Sequence, residues 1–160
     1  MNSDNVLYNW DVHKFGGTSV GSADCMRKCI EIIKPLLKQK RIAMVVSAMG
    51  GKPKVTDLLL DSVHEAASGC IDKSLEKLNA IREKHRICIF DLLSDFHDRG
   101  IDIINKIDTD LRDIQDLLRA VALMKTPHEQ ILELVSGYGE IWSATILGYV
   151  FNFYIFNLSF

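Results

Sequence analysis

The chain has 160 residues, 48% hydrophobic and 25% charged, with a formal net charge of −2. These values are typical of a single soluble globular domain, which buries roughly 68–70% of its unfolded surface. The charge provides no basic field that would attract nucleic acid or an anionic membrane, so we expect neither partner.

The N-terminal third of the chain predicts a strand, a helix and a second strand. Residues 11–15 form a β-prone run, and Ser22 is a candidate N-cap for a helix over residues 23–38. Pro35 falls inside that helical pattern and predicts a kink or an early stop. Residues 42–47 are almost continuously apolar, which is typical of a strand that helices bury on both faces. This order predicts a right-handed βαβ unit with a parallel sheet, and therefore an α/β fold.

The middle of the chain predicts long amphipathic helices. Residues 56–68 have helical periodicity, and an apolar stripe continues over residues 71–81. A second stripe, over residues 101–121, steps by three and four. We expect these helices to pack as an antiparallel pair joined near residues 97–100.

The last third is apolar and rich in aromatic residues. A helical pattern follows Pro127, and a further helix is expected to begin at Tyr138 or Gly139. Residues 141–160 contain no charged side chain. That length permits a membrane span, but the asparagines at 152 and 157 and the lack of a basic flank favour a helix entering a buried core.

The cysteines and the N-terminus bear on the cellular compartment. The four cysteines are Cys25, Cys29, Cys70 and Cys88, and they form no Cys-x-x-Cys pair. This spacing predicts free thiols in a reducing environment, and we expect no metal site. Residues 1–11 lack the pattern of a secretory signal and are short and arginine-poor for a transit peptide. We therefore expect a cytoplasmic location, with a plastid as the alternative if a transit peptide is missing from this sequence.

The first candidate site lies where the first strand ends. Lys14 is followed by Gly16 and Gly17, then by hydroxyl groups that include Ser19. Glycines permit positive φ and close approach of an anion to backbone N–H groups, and a helix N-terminus favours negative charge. The segment predicts a phosphate site, with a tight turn that binds no ligand as the alternative.

Two further segments carry candidate chemistry. Ser47, two glycines and Thr56 follow the second strand, so that two parallel strands end in glycine-bearing loops at one sheet edge. Glu140 follows Gly137 and Gly139 at the expected start of a helix. Its carboxylate is either a helix cap or a group that binds a substrate ammonium.

Three segments together resemble a known family. Val-His-Lys-Phe-Gly-Gly-Thr-Ser-Val at residues 12–20 resembles the opening signature of aspartate kinases, within the amino-acid kinase superfamily. Val-Val-Ser-Ala-Met at 45–49 with Val-Thr-Asp-Leu-Leu at 55–59 is similar to the family's second block. Gly-Tyr-Gly-Glu-Ile-Trp-Ser-Ala at 137–144 resembles the third, most closely in bifunctional aspartokinase–homoserine dehydrogenases.

The resemblance implies a fold, an activity and roles for named residues. It implies part of a three-layer amino-acid-kinase fold, mainly parallel, with an inserted pair of long helices. The activity would be ATP-dependent phosphorylation of the L-aspartate side chain, the entry to lysine, threonine and methionine synthesis, with Mg²⁺ held by the nucleotide. Lys14 would neutralise the transferred phosphoryl group, lined by Gly16, Gly17, Ser19 and Ser47. Thr56 and Glu140 would hold L-aspartate, Glu140 through its ammonium group.

The resemblance covers residues 12–144 and also sets expectations for the rest of the chain. We expect an N-terminal extension over residues 1–11, the N-terminal part of a kinase domain over 12–145 and a divergent aromatic tail over 146–160. The family's later half, with a Gly-Arg-Gly-Gly-Ser-Asp-like segment and the adenine-binding subdomain, has no counterpart in these residues. The alternative function is therefore an inactive fragment of such an enzyme. The full-length enzyme is expected to be a homo-oligomer.

Overall fold

A computed structural model describes residues 10–94 and 97–156. Within these ranges the chain forms two strands and five α-helices, and two short 3₁₀ turns at Gly17–Val20 and Leu36–Lys38. The order is β1 (Trp10–Phe15), α1 (Ala23–Ile33), β2 (Arg41–Val46), α2 (Val55–Ala67), α3 (Ile71–Leu92), α4 (His97–Met124) and α5 (Glu129–Phe156). The predicted helix-rich α/β architecture is confirmed.

The β1–α1–β2 unit forms as the local signals predict. The two strands pair in parallel, and Lys14 lies opposite Val45. The Ser22 hydroxyl accepts a hydrogen bond from the Cys25 amide at 3.3 Å, as an N-cap does. α1 ends at Ile33, two residues before Pro35, because proline cannot continue the hydrogen-bond pattern of the helix.

The prediction that β2 is buried on both faces is wrong. Residues that pair in register share a face of the sheet, and Val12 and Val45, on the same face, are 69% and 48% exposed. Met44 and Val46, on the opposite face, border a small cavity with Leu147 of α5. The described helices therefore cover one face of this two-stranded sheet. Apolar residues of β2 also lie on the other face, where the described residues leave them partly exposed.

The remaining helices pack around α2. Leu59, Val63 and Ala66 of α2 are fully buried, and α2 contacts α3, α4 and α5. α3 and α4 are antiparallel: the Arg82 guanidinium donates two hydrogen bonds to Asp108, at 2.6 and 2.7 Å, while Gly100 packs near the Ile89 side chain.

The joint between α3 and α4 differs from the prediction. Residues 97–100 open α4 instead of linking the helices, and α3 ends at Leu92. Gly100, at the end of the predicted joint, is buried where α4 passes within van der Waals distance of Ile89.

α5 is one continuous helix, so the predicted start at Tyr138 or Gly139 is wrong. Gly137 and Glu140 lie near the middle of α5, and the helix-cap interpretation of Glu140 fails with that start. Tertiary packing overrides the weak local preference of glycine against helix, about 1 kcal/mol per residue. No helix within the described ranges has the length and apolar character needed to cross a membrane.

Candidate functional site

Two loops meet where the parallel strands end. The first loop (residues 16–21) follows β1, and the second loop (residues 47–54) follows β2. The Ser47 amide donates to the Phe15 carbonyl at 3.1 Å, and the Gly50 amide donates to the Gly17 carbonyl at 2.8 Å. The predicted neighbourhood of the two glycine-bearing loops is therefore a direct backbone contact.

Glycine is required where the two loops touch. A Cβ on Gly17 would lie 2.9 Å from the Ala48 carbonyl oxygen, and one on Gly50 would lie 2.6 Å from the Gly17 carbonyl group. Contacts this short exclude a side chain at either position without movement of the backbone. Gly16 and Gly17 do not use the positive φ that glycine permits: φ is −72° at Gly16, and the described glycines with positive φ are Gly51 and Gly69.

α5 brings the third motif to the second loop. The Glu140 carboxylate accepts a hydrogen bond through Oε1 from the Ala48 amide at 3.2 Å. One residue earlier, a Cβ on Gly139 would lie 2.7 Å from the Ala48 Cβ and 3.3 Å from Val55 Cγ1. α5 therefore passes close to the second loop at Gly139, and this approach places Glu140 at the loop backbone.

The other predicted site residues lie on or beside these loops. Lys14 is exposed, one residue before the end of β1, and Ser47 directly follows β2. Thr56 is half-buried in the first turn of α2, where the Val55 amide donates to the Met49 carbonyl at 3.1 Å. Among the described residues, no hydrogen bond or ion pair engages the Lys14 ammonium or the hydroxyl groups of these residues: Ser19, Ser47 and Thr56.

One lysine that the sequence did not single out holds the second loop. Lys84, in α3, donates two hydrogen bonds from Nζ, to the Gly50 carbonyl at 2.6 Å and the Pro53 carbonyl at 2.7 Å. Partial burial lowers the pKa of the Lys84 ammonium. Local sequence carries no signal for this contact, because the partners lie 34 and 31 residues away.

Buried aromatic packing fixes α5 beside the site. The Trp142 indole donates to Asp110 Oδ2 of α4 at 2.8 Å, and its ring meets His85 edge to face at 5.2 Å. The His85 Nδ1 lies 2.8 Å from the Ile81 carbonyl, and burial lowers the pKa of His85 to about 4. A neutral His85 therefore donates from Nδ1 to that carbonyl and packs as an uncharged ring.

The arrangement suits a ligand that carries both an anionic group and an ammonium. Lys14 and the hydroxyl groups supply positive charge and donors near the two loops, and Glu140 supplies negative charge at the second loop. The first loop, the second loop and Glu140 thus converge on one sheet edge, although Ala48 and Glu140 alone are 92 residues apart in the sequence. Open α/β sheets bind ligands at this edge.

Comparisons with known proteins identify relatives of this chain. The chain is 37% identical over 142 residues to a chloroplastic bifunctional aspartokinase/homoserine dehydrogenase of Daucus carota, covering 88% of this chain and 14% of that protein. It is 29% identical over 143 residues to the chloroplastic aspartokinase 2 of Arabidopsis thaliana, covering 88% and 24%. The chain thus spans well under a third of the length of either relative.

A solved structure and a family model extend the comparison. The crystal structure of E. coli aspartokinase III in complex with aspartate and ADP matches 87% of this chain and 28% of its own, with a TM-score of 0.68 and 27% identity. The model of the amino acid kinase family matches residues 9–154. The chain therefore belongs to the amino acid kinase family, and its relatives include aspartokinases and bifunctional aspartokinase/homoserine dehydrogenases.

Proposed function

We propose that this chain is the N-terminal part of an aspartate kinase, which transfers a phosphoryl group from ATP to the side-chain carboxylate of L-aspartate. The observation that carries the proposal is the meeting of three motifs at one point. The first loop touches the second through the Gly50–Gly17 hydrogen bond, and Glu140 touches the second through Ala48. The solved relative in complex with aspartate and ADP supports both ligand classes.

Phosphate binding is assigned to the end of β1 and the two loops. Lys14 would neutralise charge on the transferred phosphoryl group, and its ammonium has no competing carboxylate partner within the described ranges. Gly16, where a Cβ would meet no atom within 4 Å, leaves space for a phosphate oxygen beside the backbone. The hydroxyl groups of Ser19 and Ser47, with the backbone at Gly17, would line the remaining oxygens.

Aspartate binding is assigned to Glu140 and Thr56. One carboxylate oxygen of Glu140 is used by the Ala48 amide, and Oε2 has no hydrogen bond among the described residues. That oxygen is available to the substrate ammonium as a charge-assisted acceptor. The Thr56 hydroxyl, in the turn next to the second loop, would donate to a substrate carboxylate.

The chemistry needs alignment and charge stabilisation more than proton transfer. An aspartate side chain ionises near pH 4, so the attacking carboxylate is charged at neutral pH without a general base. Its oxygen bonds to the γ-phosphorus while the bond from that phosphorus to the bridging oxygen of ADP breaks, which gives aspartyl phosphate and ADP. We assign no described residue to Mg²⁺: none of them forms a cluster of three metal-ligating side chains, and the metal would arrive with the nucleotide phosphates.

The relatives also support proposals for the pathway and the compartment. We propose that residues 12–145 are the kinase part. The names of the bifunctional relatives also include homoserine dehydrogenase. From these relatives we infer a role in lysine, threonine and methionine synthesis. Those relatives are chloroplastic, which favours a plastid over the cytoplasm for this protein. A homo-oligomer of the full-length enzyme stays part of the proposal.

The direct test is product formation. Purified chain given ATP, Mg²⁺, L-aspartate and hydroxylamine should form aspartyl hydroxamate, and succinate, which lacks the ammonium group, should form none. Lys14→Ala should abolish the product, whereas Lys34→Ala, an exposed lysine at the end of α1, should not. Product no higher than that of Lys14→Ala would reject activity for this chain and favour the alternative, an inactive fragment of an aspartate kinase.

A further inference from the structure

Lys84 is a partly buried cation whose described partners are all uncharged. Its ammonium donates to two carbonyl groups of the second loop, those of Gly50 and Pro53, at 2.6 and 2.7 Å. No carboxylate within the described ranges forms an ion pair with it. Placing a charge in a partly desolvated position is unfavourable unless its hydrogen bonds compensate, so these two contacts decide where the side chain lies.

The second loop also contacts both the first loop and α5. Its Gly50 amide donates to the Gly17 carbonyl of the first loop, and its Ala48 amide donates to Glu140 of α5. Lys84 therefore holds the loop from α3, on the carbonyl side of the same Gly50 whose amide faces the first loop. Release of Lys84 would remove the contacts to the Gly50 and Pro53 carbonyls. The amide contacts of Ser47, Gly50 and Val55 would stay in place, so residues 51–53 would lose the most support.

We propose that Lys84 is a positioning residue for substrate binding: it fixes the second loop against the first, and so sets the distance between the phosphate-binding backbone and Glu140. This inference rests on the proposed function for the identity of the substrate. Lys84 touches neither substrate nor nucleotide in this role and acts through Gly50 and Pro53.

The test compares three variants of the full chain. Lys84→Met removes the donors and keeps an unbranched stem, and Lys84→Arg keeps a charged donor. Lys77→Met is the matched control, because Lys77 lies on α3 two turns earlier and its described ionic contact is to Asp61 at 3.9 Å, not to the second loop. The readouts are the ¹³C shifts of the Gly50 and Pro53 carbonyls, hydrogen exchange at the Gly50 amide, and the Kd for L-aspartate.

The proposal predicts a distinct pattern. Lys84→Met should shift both carbonyl signals, speed Gly50 exchange by about tenfold and weaken L-aspartate binding by a similar factor, since a hydrogen bond to a charged group is worth about one order of magnitude. Lys84→Arg should restore part of each change, and Lys77→Met should reproduce none.

Two results would overturn the proposal. The first is a Lys84→Met chain with unchanged carbonyl shifts and unchanged Gly50 exchange. The second is a Lys77→Met chain with the same losses as Lys84→Met, which would indicate general destabilisation. Failure of the unsubstituted chain to bind L-aspartate would instead contradict the proposed function, and the two loop readouts would still decide whether Lys84 holds the loop.

Discussion

Gly139→Ala should destabilise the protein, although alanine is the better helix former. The new Cβ would lie 2.7 Å from the Ala48 Cβ and 3.3 Å from Val55 Cγ1. Neither group is the end of a flexible side chain, so the loop backbone or α2 must move. Overpacking of this kind costs about 1–3 kcal/mol, against a gain of about 0.5–1 kcal/mol in helix propensity. The middle of these two ranges gives a net loss in free energy of unfolding of about 1 kcal/mol.

Two glycines of the same helix provide matched controls. A Cβ on Gly137 or Gly148 would meet no atom within 4 Å. Each alanine substitution there should therefore stabilise the protein by about 0.5–1 kcal/mol. Urea unfolding of the three variants separates the cases, since a difference of about 2 kcal/mol moves the midpoint by about 1 M. A Gly139→Ala midpoint at or above those of the controls would refute the close approach of α5 to the second loop.

Three further predictions concern the elements that support the site. Burial holds the pKa of His85 at about 4 in the folded chain, below its value of 6.5 in the unfolded chain. The full stability is therefore present above pH 6.5, and the free energy of unfolding falls by up to about 3 kcal/mol as the pH falls to 4. Urea unfolding at pH 7.5 and 4.5 should show a smaller loss for His85→Phe than for the unsubstituted chain, and equal losses would contradict the shift. A double-mutant cycle of Trp142→Phe with Asp110→Ala should give a coupling energy of about 1–2 kcal/mol, and a value near zero would mean that the 2.8 Å hydrogen bond contributes no stability. Ser22→Ala should cost about 1 kcal/mol of stability and Ser22→Asp close to nothing, because aspartate also caps helices; equal losses would argue against the cap.

The sequence predicts elements well where the signals are local. The Ser22 cap and the stop before Pro35 fix both ends of α1 through interactions with residues a few positions away. The apolar stripes predict α3 and α4 because each helix must bury one face along its whole length. The same local reasoning fails at α5. Gly137 and Gly139 predict a helix start, but both lie inside the helix, and Gly139 allows close contact with Ala48 of the second loop, 91 residues earlier.

The candidate site is only partly predictable for the same reason. The motifs place Lys14, Ser47 and Glu140 on three separate segments, and the parallel strands indicate that two of those segments are neighbours. Nothing in the spacing indicates that Glu140 reaches the Ala48 amide or that Lys84 reaches Gly50, because both contacts depend on how the helices pack. The apolar run of β2 leads to the opposite error. It predicts burial on both faces of the strand, but the described residues cover only one of them.

The central claim is that the first loop, the second loop and Glu140 form one binding site for L-aspartate and a phosphate donor. The most direct measurement is a titration of the full chain with L-aspartate, followed through the amide signals of Gly17, Ala48 and Glu140. All three should shift with a single Kd, succinate should produce much smaller shifts, and Glu140→Gln should weaken binding at least tenfold, as expected for loss of a charge-assisted contact to the ammonium. Signals that stay still, or that respond to succinate as strongly as to L-aspartate, would contradict the claim.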